Sequence, residues 1–338
     1  MPTITIGNRS FETPVLVPSV SSFETQLRPD AALRLQSALG EPISLVSAYD
    51  VWLDRVNLVQ ISKEFRKRGV LLLDSGGYES SRISYYARDR QLDRWDFPKY
   101  LEIAHEDIYD FVFSFDYFLD QQEAAADFFK RILNEFHSHA EIINIAKLIP
   151  VIHVQTIDGK RRLTENEIVE LFEKLAPQLK CKFLAIPERE LGPGITVRAQ
   201  LTRKIAAAIN ANTTSECSLH ILGCGNLLSF SLLAVAGARM CDGLEWCRTL
   251  AAENFHLHHF QHKDVFRDPG HYAGNQLAET LFDSLELDYP TAVAIRNLFG
   301  FQTFTRILHD RLGKRNVHEF VCEHFGNMAG EAMQTLET

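Results

Sequence analysis

The sequence predicts an α/β protein built on a (β/α)₈ barrel, with an N-terminal β-hairpin in residues 1–20 and a helical part in residues 270–338. Three observations support this fold class. The 338 residues accommodate one barrel of about 250 residues with appendages, although two domains of ordinary size would also fit. Short apolar runs alternate with helical patterns, which predicts a parallel sheet. Acidic residues directly follow several of these runs, at the strand ends where barrel enzymes place catalysis.

The N-terminal stretch alternates apolar and polar side chains around the Gly7–Asn8 pair. Alternation with a period of two around a turn-forming pair predicts a β-hairpin. The next part of the chain contains six short, almost continuously apolar runs, which are typical of strands buried on both faces. These runs are Ile43–Ser47, Val70–Leu73, Phe111–Phe115, Leu148–His153, Phe183–Ile186 and His220–Leu222.

Helical patterns lie between these runs. The clearest begins at Glu165, where apolar residues recur at helical spacing behind Thr164, a residue type suited to capping a helix N-terminus. Two long patterns, Gly274–Leu285 and Thr291–Arg311, close the chain. The other helical candidates are Pro29–Ala38, Leu58–Lys67, Asp96–Ala104, Gln121–Phe136, Arg198–Ala211 and Leu227–Ala236.

Strand–helix alternation is compatible with a closed barrel and with an open, doubly wound sheet. No G-x-G-x-x-G motif follows the first strand. The absence of this motif disfavours a dinucleotide-binding version of the open sheet.

The composition is that of a globular protein, with 46% apolar and 23% charged residues and a net charge of −9. Nucleic-acid-binding proteins are more often basic overall, although Lys63–Arg68 and Lys160–Arg162 offer local basic clusters. The six cysteines lack the spacing of metal or secreted disulfide frameworks, which predicts reduced and mostly buried thiols. With no signal-peptide pattern and no run of 18 apolar residues, we expect a cytoplasmic protein that does not enter a membrane.

Three aspartates occupy the ends of predicted strands. Asp74 follows the run at 70–73, Asp116 follows the run at 111–115, and Asp242 follows the run beginning at Ala238. An aspartate at such a position often caps the next helix, and this structural interpretation is about as good as a catalytic one for any single residue. Because the carboxyl ends of parallel strands meet at one mouth of a barrel, three of them together indicate a carboxylate-lined site.

Two glycine-rich turns and one histidine-rich stretch accompany these acids. Gly76–Gly77 permits close backbone approach beside Tyr78, whose ring is suited either to stacking a planar ligand or to core packing. Leu222–Gly225 precedes a helix and is a weak candidate for phosphate binding through free backbone N–H groups. The stretch His256–His262 lacks partner ligands at metal spacing, which favours a structural or nucleic-acid-facing role over metal binding.

These motifs resemble those of the tRNA-guanine transglycosylases, the enzymes that exchange guanine for a 7-deazaguanine base. Asp74–Tyr78 matches the family's D-S-G-G-aromatic motif, with Glu79 where the family usually has Gln, and Phe115–Asp116 matches its F-D. His220–Asp242 is similar, without a gap over 23 positions, to the family's strand, L-M-G-x-G turn, helix and G-x-D-M-F-D run.

Weaker similarity extends over most of the chain. It covers the N-terminal segment, the N-T-Y-H-L motif with Tyr49 kept and Asp50 in place of His, and the closing helix with Asn297 kept. Another weak match, Ala185–Gly192, falls where the family has a glycine-rich base-binding turn.

The resemblance implies a (β/α)₈ barrel with specific roles for these residues. Asp242 corresponds to the nucleophile, Asp74 to the acid/base group, and Asp116 to the carboxylate that recognises the guanine edge. Tyr78 and Leu222 would face the base from opposite sides. The other positions implied in substrate binding are Gly76, Gly77, His153, Gly223 and Arg248.

The chain departs from the family at two places. The family's C-x-C-x₂-C and later His hold a structural zinc ion, but no cysteines have this spacing here, and Arg296 occupies the position of the His. We therefore expect no metal site and no cofactor. His153 falls on the Gln of the family's V-Q-G, which predicts a different recognition of the base edge.

The resemblance implies a nucleic acid and a free 7-deazaguanine base (the preQ0, preQ1 or queuine class) as partners, with a homodimer or a partner subunit as further alternatives. The acceptor is tRNA or, as in a related branch of the family, DNA. The missing zinc ligands mildly favour DNA as the acceptor. A non-catalytic barrel subunit is an alternative of a different class, disfavoured because all three aspartates are retained. A further and weaker alternative is an unrelated barrel hydrolase.

Overall fold

A computed structural model describes residues 2–23, 25–77, 95–116, 124–155, 163–212, 217–252, 254–260, 280 and 287–337. Its centre is an eight-stranded sheet in which every neighbouring pair of strands is parallel. The barrel strands are β3 (Val15–Val20), β4 (Ile43–Ser47), β5 (Val70–Asp74), β6 (Phe111–Phe113), β7 (Leu148–Ile149), β8 (Phe183–Pro187), β9 (Ser218–Leu222) and β10 (Met240–Gly243).

Helices follow the strands, and the closing helix, Tyr289–Lys314, packs against β3 and the region after β10. The prediction of an α/β barrel is thereby confirmed. The described helices are α1 (Pro29–Leu39), α2 (Ala48–Leu53), α3 (Arg55–Arg66), α4 (Phe97–Ala104), α5 (Ala125–Ala140), α6 (Glu165–Leu179), α7 (Ile195–Asn212), α8 (Leu227–Val235), α9 (Glu245–Arg248), α10 (Tyr289–Lys314), α11 (Val317–Phe325) and α12 (Asn327–Glu337).

The barrel closes where β7 meets β8. Val151 forms an isolated parallel bridge with Ala185, the Ile152 N–H donates to the Ala185 carbonyl at 2.8 Å, and the Ala185 N–H donates to the Pro150 carbonyl at 2.9 Å. The predicted run at 148–153 therefore forms a strand of only two residues. On the side of β8, Pro150 has no N–H to donate. On the side of β6, the Val151 N–H donates to the Ser114 hydroxyl at 2.9 Å and not to a backbone carbonyl.

The N-terminal hairpin is shorter than the predicted range of residues 1–20. Only β1 (Thr3–Ile6) and β2 (Arg9–Glu12) form it, whereas Val15–Val20 is the first barrel strand. Both the hairpin and this strand alternate in hydrophobicity, so the pattern did not separate them. The hairpin also contributes to the core, because the fully buried Ile6 packs with the apolar side chains inside the barrel.

Side chains inside the barrel change from apolar to polar toward the carboxyl ends of the strands. Alternate residues of a strand share one face, and Val15, Val17, Val70, Leu72 and Met240 pack in the interior cluster. Two residues further along the same three strands come Ser19, Asp74 and Asp242. The fold therefore places polar groups at the carboxyl ends of the strands, above an apolar barrel interior.

The closing helix α10 is attached to the end of the barrel by Asn297, which is fully buried. Its side-chain oxygen accepts from the Ala251 N–H at 2.9 Å, and its nitrogen donates to the Trp246 and Thr249 carbonyls at 2.9 and 2.7 Å. The predicted helix Thr291–Arg311 lies within α10. The predicted helix Gly274–Leu285 lies outside the described residues, apart from Thr280.

Among the helices that the structure describes, none is both long enough and apolar enough to cross a membrane.

Candidate active site

The three predicted aspartates line one cavity of about 350 Å³ at the carboxyl ends of the barrel strands. Asp74, Asp116 and Asp242 come from three different strand ends, as expected where parallel strands share one mouth. Four other predicted site residues line the same cavity: His153, Leu222, Gly223 and Arg248.

Asp242 is the penultimate residue of β10 and is buried. One of its carboxylate oxygens, Oδ2, accepts a hydrogen bond from the Ser19 hydroxyl at 2.8 Å. The other, Oδ1, lies 2.8 Å from Nε2 of His220, which is itself fully buried. Both carboxylate oxygens therefore have a fixed partner, and the plane of the group is set before any substrate arrives.

Asp74 ends β5 and is half-buried. Its Oδ2 accepts from the Gly76 N–H at 3.1 Å, so the carboxylate supports the turn that follows its own strand. The Gly77 N–H donates to the Ser75 hydroxyl at 3.2 Å. Gly76 and Gly77 thus belong to the turn after β5 and are not among the residues that line the cavity, while Tyr78 lies outside the described residues.

Gly76 is required by both its conformation and its neighbours. Its φ is +76°, and a Cβ atom there would lie 2.5 Å from the Cβ and 2.6 Å from the backbone nitrogen of Tyr49. Gly76→Ala should therefore lower the free energy of unfolding by about 2 kcal/mol or more, through left-handed strain and overpacking. Gly40→Ala is the matched control, since Gly40 has φ +73° with nothing within 4 Å of the added Cβ.

Chemical denaturation of both variants measures this difference. The prediction fails if Gly40→Ala, which adds conformational strain alone, lowers the free energy of unfolding by as much as Gly76→Ala does.

Asp116 follows β6, and its side chain is 7% exposed. Its Oδ2 accepts from the Ser75 hydroxyl at 2.6 Å, and its Oδ1 lies 3.0 Å from Nε2 of His153. Ser75 belongs to the turn after β5, and His153 follows the end of β7. Contacts from both sides thus hold the carboxylate at the wall of the cavity.

His153 lies between two carboxylates. Its Nδ1 is 2.8 Å from Oε1 of Glu190, whose Oε2 accepts from the Val154 and Gln155 N–H groups at 2.6 and 3.0 Å. Burial by itself lowers the pKa of His153, but the charges of Asp116 and Glu190 and their hydrogen bonds outweigh it and raise the pKa to about 10. At neutral pH the cavity wall therefore contains an imidazolium flanked by two carboxylates.

Charged groups of both signs surround the cavity opening. Glu188 pairs with Arg198, with 2.9 Å between oxygen and nitrogen, and Arg189 lines the cavity beside it. Burial raises the pKa of Glu245, Arg248 opposes the rise, and the charge of Glu188 adds to it. The pKa of the Arg189 guanidinium is lowered by burial. A polar, partly desolvated rim suits a ligand that carries its own charged groups.

Some residues of the remaining sequence motifs make structural contacts. The side chain of Asn226 accepts from the Leu228 and Ser229 N–H groups, which occupies donors that the phosphate hypothesis required. His256 stacks on Phe325 with 5.6 Å between ring centroids, whereas His262 lies outside the described residues. All six cysteines are free, and all but Cys322 are buried.

Four residues that shape the site were not predicted from the sequence. Ser19, Ser75 and His220 contact the aspartates directly, and Glu190 contacts His153. The rule applied to the aspartates, an acid just beyond a buried strand, also applies to Glu190, which follows β8. His220 offered a different signal, since a histidine inside a buried strand requires a polar partner.

A larger cavity of about 620 Å³ lies between β3 and α10, away from the aspartates. Its walls are mainly apolar, and burial raises the pKa of its one deeply buried acid, Glu41, to about 7, against a hydrogen bond from Gln302. The chemistry-bearing groups are in the smaller cavity, which we take as the candidate active site.

Within the described residues, no group of three or more His, Cys, Asp or Glu side chains is arranged to hold a metal ion. Arg296 lies in α10, beside Asn297. In comparison with known proteins, no family model matches this chain, and no curated protein matches it.

The arrangement can perform carboxylate chemistry on a bound polar ligand. One carboxylate is oriented by two donors, a second is half-buried near it, and a third is held against an imidazolium. Environments as different as these allow carboxylates in one cavity to take separate nucleophilic, acid–base and binding roles.

Proposed function

We propose that the protein is a nucleic-acid guanine transglycosylase, which exchanges guanine for a 7-deazaguanine base through a covalent Asp242–glycosyl intermediate. The observation that carries this proposal is the presence of Asp74, Asp116 and Asp242 around one cavity at the mouth of a barrel. Base exchange requires a nucleophile, a proton donor and acceptor, and a carboxylate that recognises the base. The sequence motifs that resemble the transglycosylases contain these same three aspartates.

In the first half-reaction, an oxygen of the Asp242 carboxylate attacks C1′ of the target nucleotide. The new C1′–O bond forms as the C1′–N9 bond breaks, and the electron pair of the broken bond goes to the departing guanine. Asp74 donates a proton to that base, which makes it a better leaving group. The product is an ester between the sugar and Asp242, as in retaining glycosidases.

In the second half-reaction, a 7-deazaguanine base takes the place of guanine. Asp74, now ionised, accepts the proton from N9 of the incoming base. The freed electron pair forms the new C1′–N9 bond, and Asp242 leaves as a carboxylate. The exchange is balanced and uses neither ATP nor a redox cofactor.

Asp116 selects the base. Each carboxylate oxygen has more than one lone pair, so Asp116 can accept from the ring N1–H and the exocyclic amine of guanine while it keeps Ser75 and His153 as partners. Adenine has a lone pair at N1 in place of the N–H, and this acceptor would face the carboxylate without a hydrogen bond in a desolvated site, which is costly. This pairing favours guanine and its 7-deaza analogues.

The acceptor is a nucleic acid, tRNA or DNA. The target nucleotide has to leave its base stack before C1′ can reach a carboxylate inside the barrel mouth. Arg189 and Arg248, which line the cavity, are candidates for contact with its phosphates.

The proposal is tested by incubating the protein with radiolabelled guanine and either unmodified tRNA or duplex DNA. We expect label to enter one of the two, and a covalent protein–nucleic acid adduct to survive on a denaturing gel. Label in tRNA alone, or in DNA alone, identifies the acceptor. Absence of both label and adduct, with both nucleic acids, would refute the proposal and favour a non-catalytic barrel.

A further inference from the structure

We infer that His220, together with Ser19, positions Asp242 and sets how readily its glycosyl ester breaks down; this inference rests on the proposed function. Two donors reach the carboxylate from different strands, the Ser19 hydroxyl from β3 and Nε2 of His220 from β9, each at 2.8 Å. Neither residue touches Asp74 or Asp116 by a described hydrogen bond. Their effect on chemistry would act through Asp242 alone.

The surroundings of His220 determine which ring nitrogen carries the proton. The Asp242 carboxylate can only accept, so Nε2 must donate. Nδ1 is buried without a hydrogen-bond partner among the described residues. A proton on Nδ1 would be a buried unpaired donor, which is costly, so we assign the neutral ring with its hydrogen on Nε2.

The ring is also fixed in orientation. Phe113 contacts it edge to face, with 5.0 Å between ring centroids, and the ring is fully buried inside the barrel. A donor locked in this way holds Oδ1 in one position while Ser19 holds Oδ2. The carboxylate therefore cannot rotate about its own axis without losing a hydrogen bond.

Each of the two hydrogen bonds is stronger before Asp242 attacks than after it. The ionised carboxylate accepts charge-assisted bonds, which are roughly twice as strong as neutral ones. Once Asp242 is esterified, the same donors face a neutral ester. His220 and Ser19 therefore stabilise free enzyme more than the covalent intermediate, which favours departure of Asp242 in the second half-reaction.

Removal of the donor at residue 220 should have two separable effects. Loss of orientation slows turnover, by about tenfold or more. Loss of charge stabilisation shifts the balance toward the ester, so a larger fraction of the enzyme should be trapped as adduct at a fixed guanine concentration. A variant that is merely damaged would lose turnover and adduct together.

The test compares His220→Phe, which keeps a ring against Phe113 but no donor, with His220→Gln, whose amide nitrogen can reach the position of Nε2. Steady-state kcat, KM for the nucleic acid, and the fraction trapped as adduct are measured for each beside wild type. For His220→Phe we expect a lower kcat, a KM within about twofold of wild type and several-fold more adduct. His220→Gln should bring kcat and the adduct fraction back toward the wild-type values.

The outcomes separate this inference from the proposed function. If wild type forms neither exchanged product nor adduct, both fail. If wild type is active and His220→Phe matches it in kcat and adduct fraction, only the positioning role is overturned. A parallel loss of kcat and adduct that Gln does not restore also overturns it. Should His220→Phe not fold, Ser19→Ala tests the same point, since it removes the other donor and is expected to raise the adduct fraction.

Discussion

Asp242→Asn should lower the rate of base exchange by roughly 10⁴-fold or more, the scale expected when a covalent nucleophile is removed. An amide is a very poor nucleophile toward C1′, so the glycosyl ester should not form. The variant should nevertheless fold. Its amide oxygen can accept from Nε2 of His220, and its NH₂ group can donate to the Ser19 hydroxyl, both of which lie 2.8 Å from the present oxygens.

The measurements are incorporation of labelled guanine and the covalent adduct on a denaturing gel. Asp107→Asn is the matched control because it makes the same chemical change at an exposed carboxylate that forms an ion pair with Lys147 and does not line the cavity. It should leave both readouts unchanged. An adduct formed by Asp242→Asn would show that the nucleophile is another residue.

His153→Ala should destabilise the protein by about 3–5 kcal/mol, the usual cost of removing one partner from a buried ion pair. Asp116 and Glu190, 7% and 3% exposed, would then share a cavity wall without the imidazolium between them. Guanine binding should weaken as well, because Asp116 would lose one of the two partners that orient it. Lys147→Ala is the control, since its exposed pair with Asp107 is worth at most about 1 kcal/mol.

The same residue predicts a pH dependence. The pKa of His153 is raised from 6.5 when unfolded to about 10 in the folded protein. A raised pKa stabilises the fold fully below the unfolded value, and that contribution is lost as the pH rises through the folded value. The free energy of unfolding of wild type should therefore fall by a few kcal/mol between about pH 6.5 and pH 10.

Denaturant titrations across that range compare wild type with His153→Ala. The difference in free energy of unfolding between wild type and His153→Ala should become smaller as the pH rises, because the alanine variant has no imidazolium to lose. Parallel curves would mean that His153 is not charged between the two acids.

The location of the site was predictable from local sequence, and its internal contacts were not. An aspartate just beyond an apolar run identifies a strand end, and parallel strands bring all such ends to one mouth. The order of residues along each segment is therefore enough to predict that Asp74, Asp116 and Asp242 lie around one cavity.

The partners of these aspartates depend on distances that only barrel closure sets. Ser19 and Asp242 are 223 residues apart, and His153 and Glu190 are 37 apart. Nothing near Asp242 in the sequence indicates which side chain will face it from β3. The predicted length of the strand at Leu148–His153 was wrong for a similar reason. Hydrophobicity continues past Pro150, but β7 ends at Ile149 and only an isolated bridge to β8 follows.

Glu190 has a consequence for how this protein can change over evolutionary time. One of its oxygens contacts His153, and the other accepts two backbone N–H groups from the segment that completes the barrel seam. A mutation at position 153 therefore disturbs the acid that joins the chain segments after β7 and β8. We expect relatives with another residue at position 153 to have changed position 190 as well, so that the cavity wall and the barrel seam evolve together.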